Sequence, residues 1–262
     1  MPPRLRLVFA VPCRQKRRVE PAEYDLMDAA EQGMWWYRAL HAHAIAALQP
    51  VRIGPGGLLD AGCGTGGFLA RLRDARPGLK ATGLEYFPAA AARARAKAGV
   101  PVAIGSVNAM PFAAGRFGAV ASLDVLSHAA VEPDAALGEM ARVLAPGGLL
   151  LLNLPAYDWL RSAHDLRVRN IRRFTAGGVR RLLGASGFTA IRTRYWNALL
   201  LPVMAAQRKL LASAPHHGSD VAPFPPWLDR SLHAVTVLER RLMRLGLPFP
   251  AGGSILATAI RA

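Results

Sequence analysis

Four glycines in six residues constrain this chain more than anything else in it. The stretch Leu58-Leu59-Asp60-Ala61-Gly62-Cys63-Gly64-Thr65-Gly66-Gly67-Phe68 starts as an apolar run, breaks on an acid and turns through glycine. It resumes with Phe68, Leu69 and Leu72 at helical spacing. A strand, a tight turn and a helix N-terminus therefore follow one another. Such a turn lets a ligand approach the backbone where no Cβ intrudes, and it aims free N–H groups at that ligand. The reading is a loop for a nucleotide-like cofactor.

Gly62, Gly64 and Gly67 formally match the dinucleotide pattern G-x-G-x-x-G, with Glu85 about 20 residues on. Asp60 argues against a dinucleotide. A carboxylate at the strand end repels a pyrophosphate but suits a cofactor whose near end is an ammonium. S-adenosyl-L-methionine has that ammonium and no phosphate. Downstream, Lys80 to Leu84 reads as a second strand closing on Glu85, and Pro88 opens a helix. Val100 to Ile104 reads as a third strand, followed by Gly105-Ser106-Val107-Asn108-Ala109-Met110-Pro111-Phe112. Phe117 to Leu123 reads as a fourth, ending in Asp124 and His128. A helix from Ala135 to Leu144 stops at Pro146-Gly147-Gly148, and Leu149 to Leu152 is wholly apolar, as a central parallel strand should be.

Asp60-Ala61-Gly62-Cys63-Gly64-Thr65-Gly66, Glu85, the Gly105–Phe112 loop and Glu139-Met140-Ala141-Arg142-Val143-Leu144-Ala145-Pro146-Gly147-Gly148 stand in order. Together they resemble the class I S-adenosylmethionine-dependent methyltransferases of the small-molecule "type 11" kind, over about residues 30–195 and 253–262. The resemblance implies an α/β fold: a Rossmann-like, seven-stranded, mostly parallel sheet with helices on both faces and a helical insert before the last strand. It implies S-adenosyl-L-methionine as cofactor, with Asp60, Gly62, Cys63, Gly64, Gly66, Glu85, Tyr86, Ser106, Val107 and Asp124 around it. Asp60 and Glu85 would carry the methionine and ribose ends, and Ser106 and Val107 would lie near adenine. Ser106 stands where the family usually has an acid, and Gly118 also departs from the pattern.

The expected organisation is a basic arm over 1–22, a methyltransferase core over 23–198 beginning with a cap helix, a helical insert over 199–250 and a last core strand over 251–262. Residues 23–48 read as one helical segment. Two readings fit Trp35 and Trp36 within it: a cap over the pocket, or packing onto the sheet. A helix capped by Thr175 and a sixth strand, Phe188 to Trp196, precede the insert, which holds helical stretches Leu199–Ala212 and Leu228–Leu245. Its apolar run Leu199–Met204, followed by Arg208-Lys209, fits a lid, a dimer surface, a helix in peripheral contact with an anionic membrane, or a helical pair packed on the sheet edge.

Methyl transfer from a sulfonium needs a general base only when the acceptor keeps its proton until attack. The candidates are His128 and the pair His164-Asp165; Tyr157 and Trp159 suit an aromatic or apolar acceptor site. Asn153-Leu154-Pro155 lacks the second proline of the Asn-Pro-Pro-Tyr motif of nucleobase methylation and follows the wrong strand. Two cysteines, Cys13 and Cys63, sit in no Cys-x-x-Cys or Cys/His pattern, so no metal site is expected. The net charge of +16 suits nucleic acid, anionic lipid or an acidic substrate, or reflects an arginine-rich proteome. No ribonucleoprotein motif or zinc finger supports a nucleic-acid partner. No apolar run reaches 18 residues and no signal peptide is evident, which makes cytoplasm the expected compartment. The sequence points to methyl transfer to a small-molecule or lipid-linked acceptor, with an RNA methyltransferase or a non-catalytic cofactor-binding scaffold as alternatives and no oligomeric state implied.

Overall fold

Strand pairing puts the glycine turn near the middle of a sheet. The computed structural model describes residues 21–210 and 224–262. Two helices, α1 (Pro21–Ala30) and α2 (Trp35–Leu48), lead into β1 (Leu58–Ala61), α3 (Gly67–Ala75), β2 (Ala81–Glu85), α4 (Pro88–Ala98) and β3 (Val102–Ile104). Then come β4 (Phe117–Leu123), α5 (Pro133–Val143), β5 (Leu144–Pro155), the short α6 (Ala163–Arg167), α7 (Ala176–Ala185) and β6 (Phe188–Trp196). The chain closes with α8 (Leu201–Leu210), α9 (Pro226–Arg244) and β7 (Ser254–Arg261). The basic arm up to residue 20 and residues 211–223 of the insert lie outside the described residues.

The strands run in the order β3-β2-β1-β4-β5-β7-β6. β1 pairs in parallel with β2 and β4, and β4 with β5, while β7 inserts antiparallel between β5 and β6. The sheet is thus seven-stranded and mostly parallel, a Rossmann-like α/β fold. The order reverses between β1 and β4, and ligands of open α/β sheets bind outside the strand ends at such a switch.

Alternation along the strands supplies both layers of helix. Leu58, Ala119, Leu149 and Leu151 pack with Ala44 and Leu48 of α2 and Phe68 and Leu72 of α3. Their neighbours Leu59, Val120, Leu150 and Leu152 pack with Leu137 and Met140 of α5 and Val179 and Leu183 of α7. Strands buried on both faces read as unbroken apolar runs, which is why β5 carries four leucines in a row.

Two elements differ from the sequence reading. The segment over 23–48 is two helices, broken over residues 31–34, where Gly33 donates its N–H to Ala30. β5 is longer than its leucine run, because Leu144 already pairs with Phe117 across an irregularity. Of the two readings of the tryptophans, packing describes them: Trp35 is buried, and Trp36 stacks on the buried Trp196 with centroids 6.3 Å apart.

Candidate cofactor and acceptor site

β1 delivers Asp60 to the turn, where the carboxylate is almost wholly buried. The Gly62 and Cys63 N–H groups both donate to the Leu84 carbonyl, at 2.8 and 3.0 Å, tying the turn to the end of β2. There Glu85 accepts the Gly64 N–H on one oxygen at 3.0 Å and the Phe87 N–H on the other at 2.9 Å. Glycine is required at Gly62 and Gly66: both have φ near +90°, and a Cβ would stand 2.4 Å from a Val125 methyl or 2.7 Å from the Ala94 backbone. The same contacts bring the β4 loop and α4 against the turn.

The break between α1 and α2 has a structural consequence. It turns Glu31 into the site, where Glu31 accepts a hydrogen bond from the Thr65 hydroxyl at 2.7 Å and pairs with Lys97 of α4. Met27 lies over Gly64. Glu31 was invisible to local pattern, because its partners are 34 and 66 residues away.

Three carboxylates therefore face one turn. Burial, with Glu85 and then Glu31 adding like charge, pushes the Asp60 carboxyl up to about 8. Burial likewise pushes the Cys63 thiol up, so this free cysteine is a packing residue and not a nucleophile at neutral pH. Among the described residues no side chain donates a hydrogen bond to Asp60. A cationic ligand supplies what Asp60 lacks, and a pyrophosphate does not. The donor set fits an ammonium at Asp60 and hydroxyls at Glu85.

The loop after β3 closes the far side. The Gly105 N–H donates to the Glu85 carbonyl at 3.0 Å, placing Ser106 and the buried Val107 beside Glu85. The Ser106 hydroxyl accepts the Asn108 N–H at 3.1 Å. Glu139 of α5 accepts the Met110 N–H, and Arg142 donates to the Phe112 and Met110 carbonyls at 2.7 and 3.0 Å. The Glu139–Arg142 pair is thus the brace of this loop. Tyr86, next to Glu85 in the chain, is 58 % exposed.

Across the switch point, Asp124 ends β4 with a left-handed φ of 58°, and Tyr157 follows β5 at 52°. Non-glycine residues held there cost about 1–3 kcal/mol each and cluster at functional sites. Asn153 donates to both Asp124 oxygens at 3.0 Å and accepts the Trp196 indole N–H at 2.8 Å. Burial lifts the Asp124 carboxyl to about 6, against the pull of Asn153 and Arg173. After β5, Tyr157 stacks between two rings, 5.7 Å from Trp159 and 5.4 Å from Tyr195, centroid to centroid.

The three base candidates part company here. Asp165 is buried and saturated: Arg173 reaches its oxygens at 2.9 and 3.1 Å, and the Ser162 N–H and hydroxyl donate at 2.7 and 3.2 Å. Through Arg173, which also donates to the Ala156 carbonyl, these bonds tie α6 to the end of β5. His128 lies partly buried in the loop after Asp124, its carbonyl accepting from Arg172 at 2.8 Å. The His164 side chain lies outside what the structure describes. Asn153, like Glu31, is a residue the sequence reading did not place at the site; a polar amide directly after four leucines was the available signal, and the structure buries it fully.

The sheet order and the acidic switch-point turn are in keeping with what comparison with known proteins finds. Residues 59–152 match a family model described as a methyltransferase domain. A demethylmenaquinone methyltransferase of Thermus thermophilus is 37 % identical over 107 residues, which cover 38 % of this chain and 48 % of the relative. The chain thus spans about half the length of that curated relative. Among solved structures, a methyltransferase of Thermotoga maritima superposes with a TM-score of 0.58 at 17 % identity, over 92 % of this chain and 95 % of that one. The geranyl diphosphate C-methyltransferase of Streptomyces coelicolor gives 0.55 at 17 % identity, over 86 % and 76 %. These structural likenesses speak for the fold. The family's cofactor is S-adenosyl-L-methionine. Among the described residues no cluster of His, Cys, Asp and Glu is arranged to hold a metal, and no helix is long and apolar enough to cross a membrane.

Proposed function

We propose that this chain transfers a methyl group from S-adenosylmethionine to a small, planar, largely apolar acceptor. The observation that carries the proposal is Asp60, a buried carboxylate that no side chain among the described residues serves, at the foot of the glycine turn. When bound, the cofactor supplies an electrophilic methyl carbon on a sulfonium. Asp60 takes its ammonium end, Glu85 its ribose hydroxyls, and Ser106 and Val107 line the adenine end, with Tyr86 next to Glu85 in the chain. Gly62, Cys63, Gly64 and Gly66 shape the turn that admits it. The chain's remaining work is to align the acceptor and exclude water.

The Trp159–Tyr157–Tyr195 stack after β5 offers ring faces to a planar acceptor, and Asp124 follows the adjacent strand β4. A carboxyl near 6 is poised as a general base above that pH, with Asn153 fixing its direction and His128 the neighbouring candidate. A lipid-linked acceptor is the form of this proposal that the insert supports. The Thermus thermophilus relative, named for demethylmenaquinone, is in keeping with a planar acceptor.

Two pH effects separate the carboxylates. Ammonium binding selects ionised Asp60, whose free-state value is about 8. Cofactor affinity is therefore expected to rise about tenfold per pH unit up to about pH 8 and then level off, with proton release on binding below that pH. Calorimetry in two buffers of different ionisation enthalpy measures that release, and Asp60→Asn should abolish it. Turnover at saturating cofactor should instead fall about tenfold per unit below pH 6, following Asp124, and Asp124→Asn should flatten that limb. The proposal itself is tested by incubating the chain with methyl-labelled cofactor and a panel of quinols, phenols and acyclic amines. Label on the planar compounds is expected; label confined to added RNA would overturn it.

A further inference from the structure

The outer face of α9 has no protein covering it among the described residues. Trp227, Ser231, Ala234, Leu238, Arg241 and Leu245 follow at helical spacing and are all exposed, with Trp227 at 67 %, Leu238 at 51 % and Leu245 at 84 %. Both acids of the helix point inward. Asp229 accepts the Trp35 N–H at 2.7 Å, and Glu239 accepts the N–H groups of Asn197, Ala198 and Leu199 at 2.6 to 2.9 Å. The outward charges are Arg230, Arg241 and Arg244, each exposed and in no ion pair among the described residues.

Past Leu245 the chain runs directly into a cleft of about 450 Å³. Leu247, Pro248, Phe249 and Tyr195 line it, together with Arg180 and Arg194. From Ala176 to the C-terminus the only acids are Asp220, Asp229 and Glu239. An acidic protein partner would match the arginines but leave the tryptophan and leucines poorly used. A bilayer interface uses both: apolar side chains enter the acyl boundary while guanidinium groups meet phosphates. The 19-residue length of α9 presents these groups along one straight line.

We propose that the outer face of α9, with the Leu247–Phe249 cleft beside it, docks this chain on an anionic lipid surface. This goes beyond methyl transfer and does not depend on it. The test is sedimentation of the full chain with vesicles of phosphatidylcholine alone and of phosphatidylcholine mixed with phosphatidylglycerol, at low and high salt. Wild type should pellet with the mixed vesicles at low salt and be released by salt. The triple variant Trp227→Ser, Leu238→Ser, Leu245→Ser, and separately Arg230→Ser, Arg241→Ser, Arg244→Ser, should each lose at least about tenfold in partitioning.

All six side chains are exposed, so unchanged melting and unchanged S-adenosylhomocysteine binding show that the variants fold. Pelleting that survives both triple variants belongs elsewhere on the chain, the basic leader included, and overturns the proposal. Failure of wild type to pellet with anionic vesicles at low salt does the same. So does a dimer that the apolar variant converts to monomer, since a second copy would then cover the face. Methyl transfer to a soluble acceptor, assayed in parallel, reports on the activity independently.

Discussion

Asp165→Ala is expected to cost about 3–5 kcal/mol of stability, the range for removing one partner of a buried ion pair. The pair is enclosed on both sides: the side chains of Arg173 and Asp165 are 9 % and 2 % exposed. Arg173 also donates to the Ala156 carbonyl at 2.9 Å, so it joins the α6 turn to the end of β5. With Asp165 gone, the guanidinium keeps that bond but loses its counter-charge in a site that water does not reach. Denaturant unfolding of wild type and variant measures the loss. The comparison also separates two roles for Asp165. A strut predicts that Asp165→Asn loses stability while its turnover keeps the wild-type pH profile. A general base predicts a changed profile in a protein of near-normal stability.

Glu85→Ala is expected to weaken S-adenosylhomocysteine binding by about 100-fold or more. Two charge-assisted hydrogen bonds to the Gly64 and Phe87 N–H groups disappear with the carboxylate, each of the stronger kind at about 1.5–3 kcal/mol. The ribose acceptor goes with them. Glu85→Gln is the informative companion. It is neutral and offers one acceptor oxygen where the turn uses two, so it should retain part of the affinity. It also removes one like charge from beside Asp60, and the Asp60 carboxyl should move down from about 8. The pH at which binding levels off should fall with it. Isothermal titration over a pH series reads both effects.

What could be read from the chain and what could not divides along contact distance. Asp60, the glycines and Glu85 sit where local rules put them: an acid at a strand end, glycines at positive φ, an acid closing the next strand. The α3 and α4 starts are equally local. Glu31, Asn153 and the Arg173–Asp165 pair are different. Glu31 reached the turn only because the first helical segment breaks, and nothing in the composition of 23–48 marks that break beyond Gly33. Asn153 reads as a polar interruption of β5 until Trp196 and Asp124 are seen on either side of it. Asp165 beside His164 reads as a proton-transfer pair, whereas its oxygens are committed to a residue eight positions on. The apolar run Leu199–Met204 of the insert was open to several readings for the same reason: local sequence shows an apolar stretch, and only the fold shows what it meets.

The central claim is that the acidic glycine turn binds S-adenosylmethionine and not a dinucleotide. The most direct measurement is calorimetric titration of the full chain with S-adenosylhomocysteine, with NAD in a parallel experiment. A saturable heat with S-adenosylhomocysteine, none with NAD and loss of the signal in Glu85→Ala is the predicted result. Binding of NAD with no response to S-adenosylhomocysteine would contradict it, because a pyrophosphate would then be accommodated against three carboxylates.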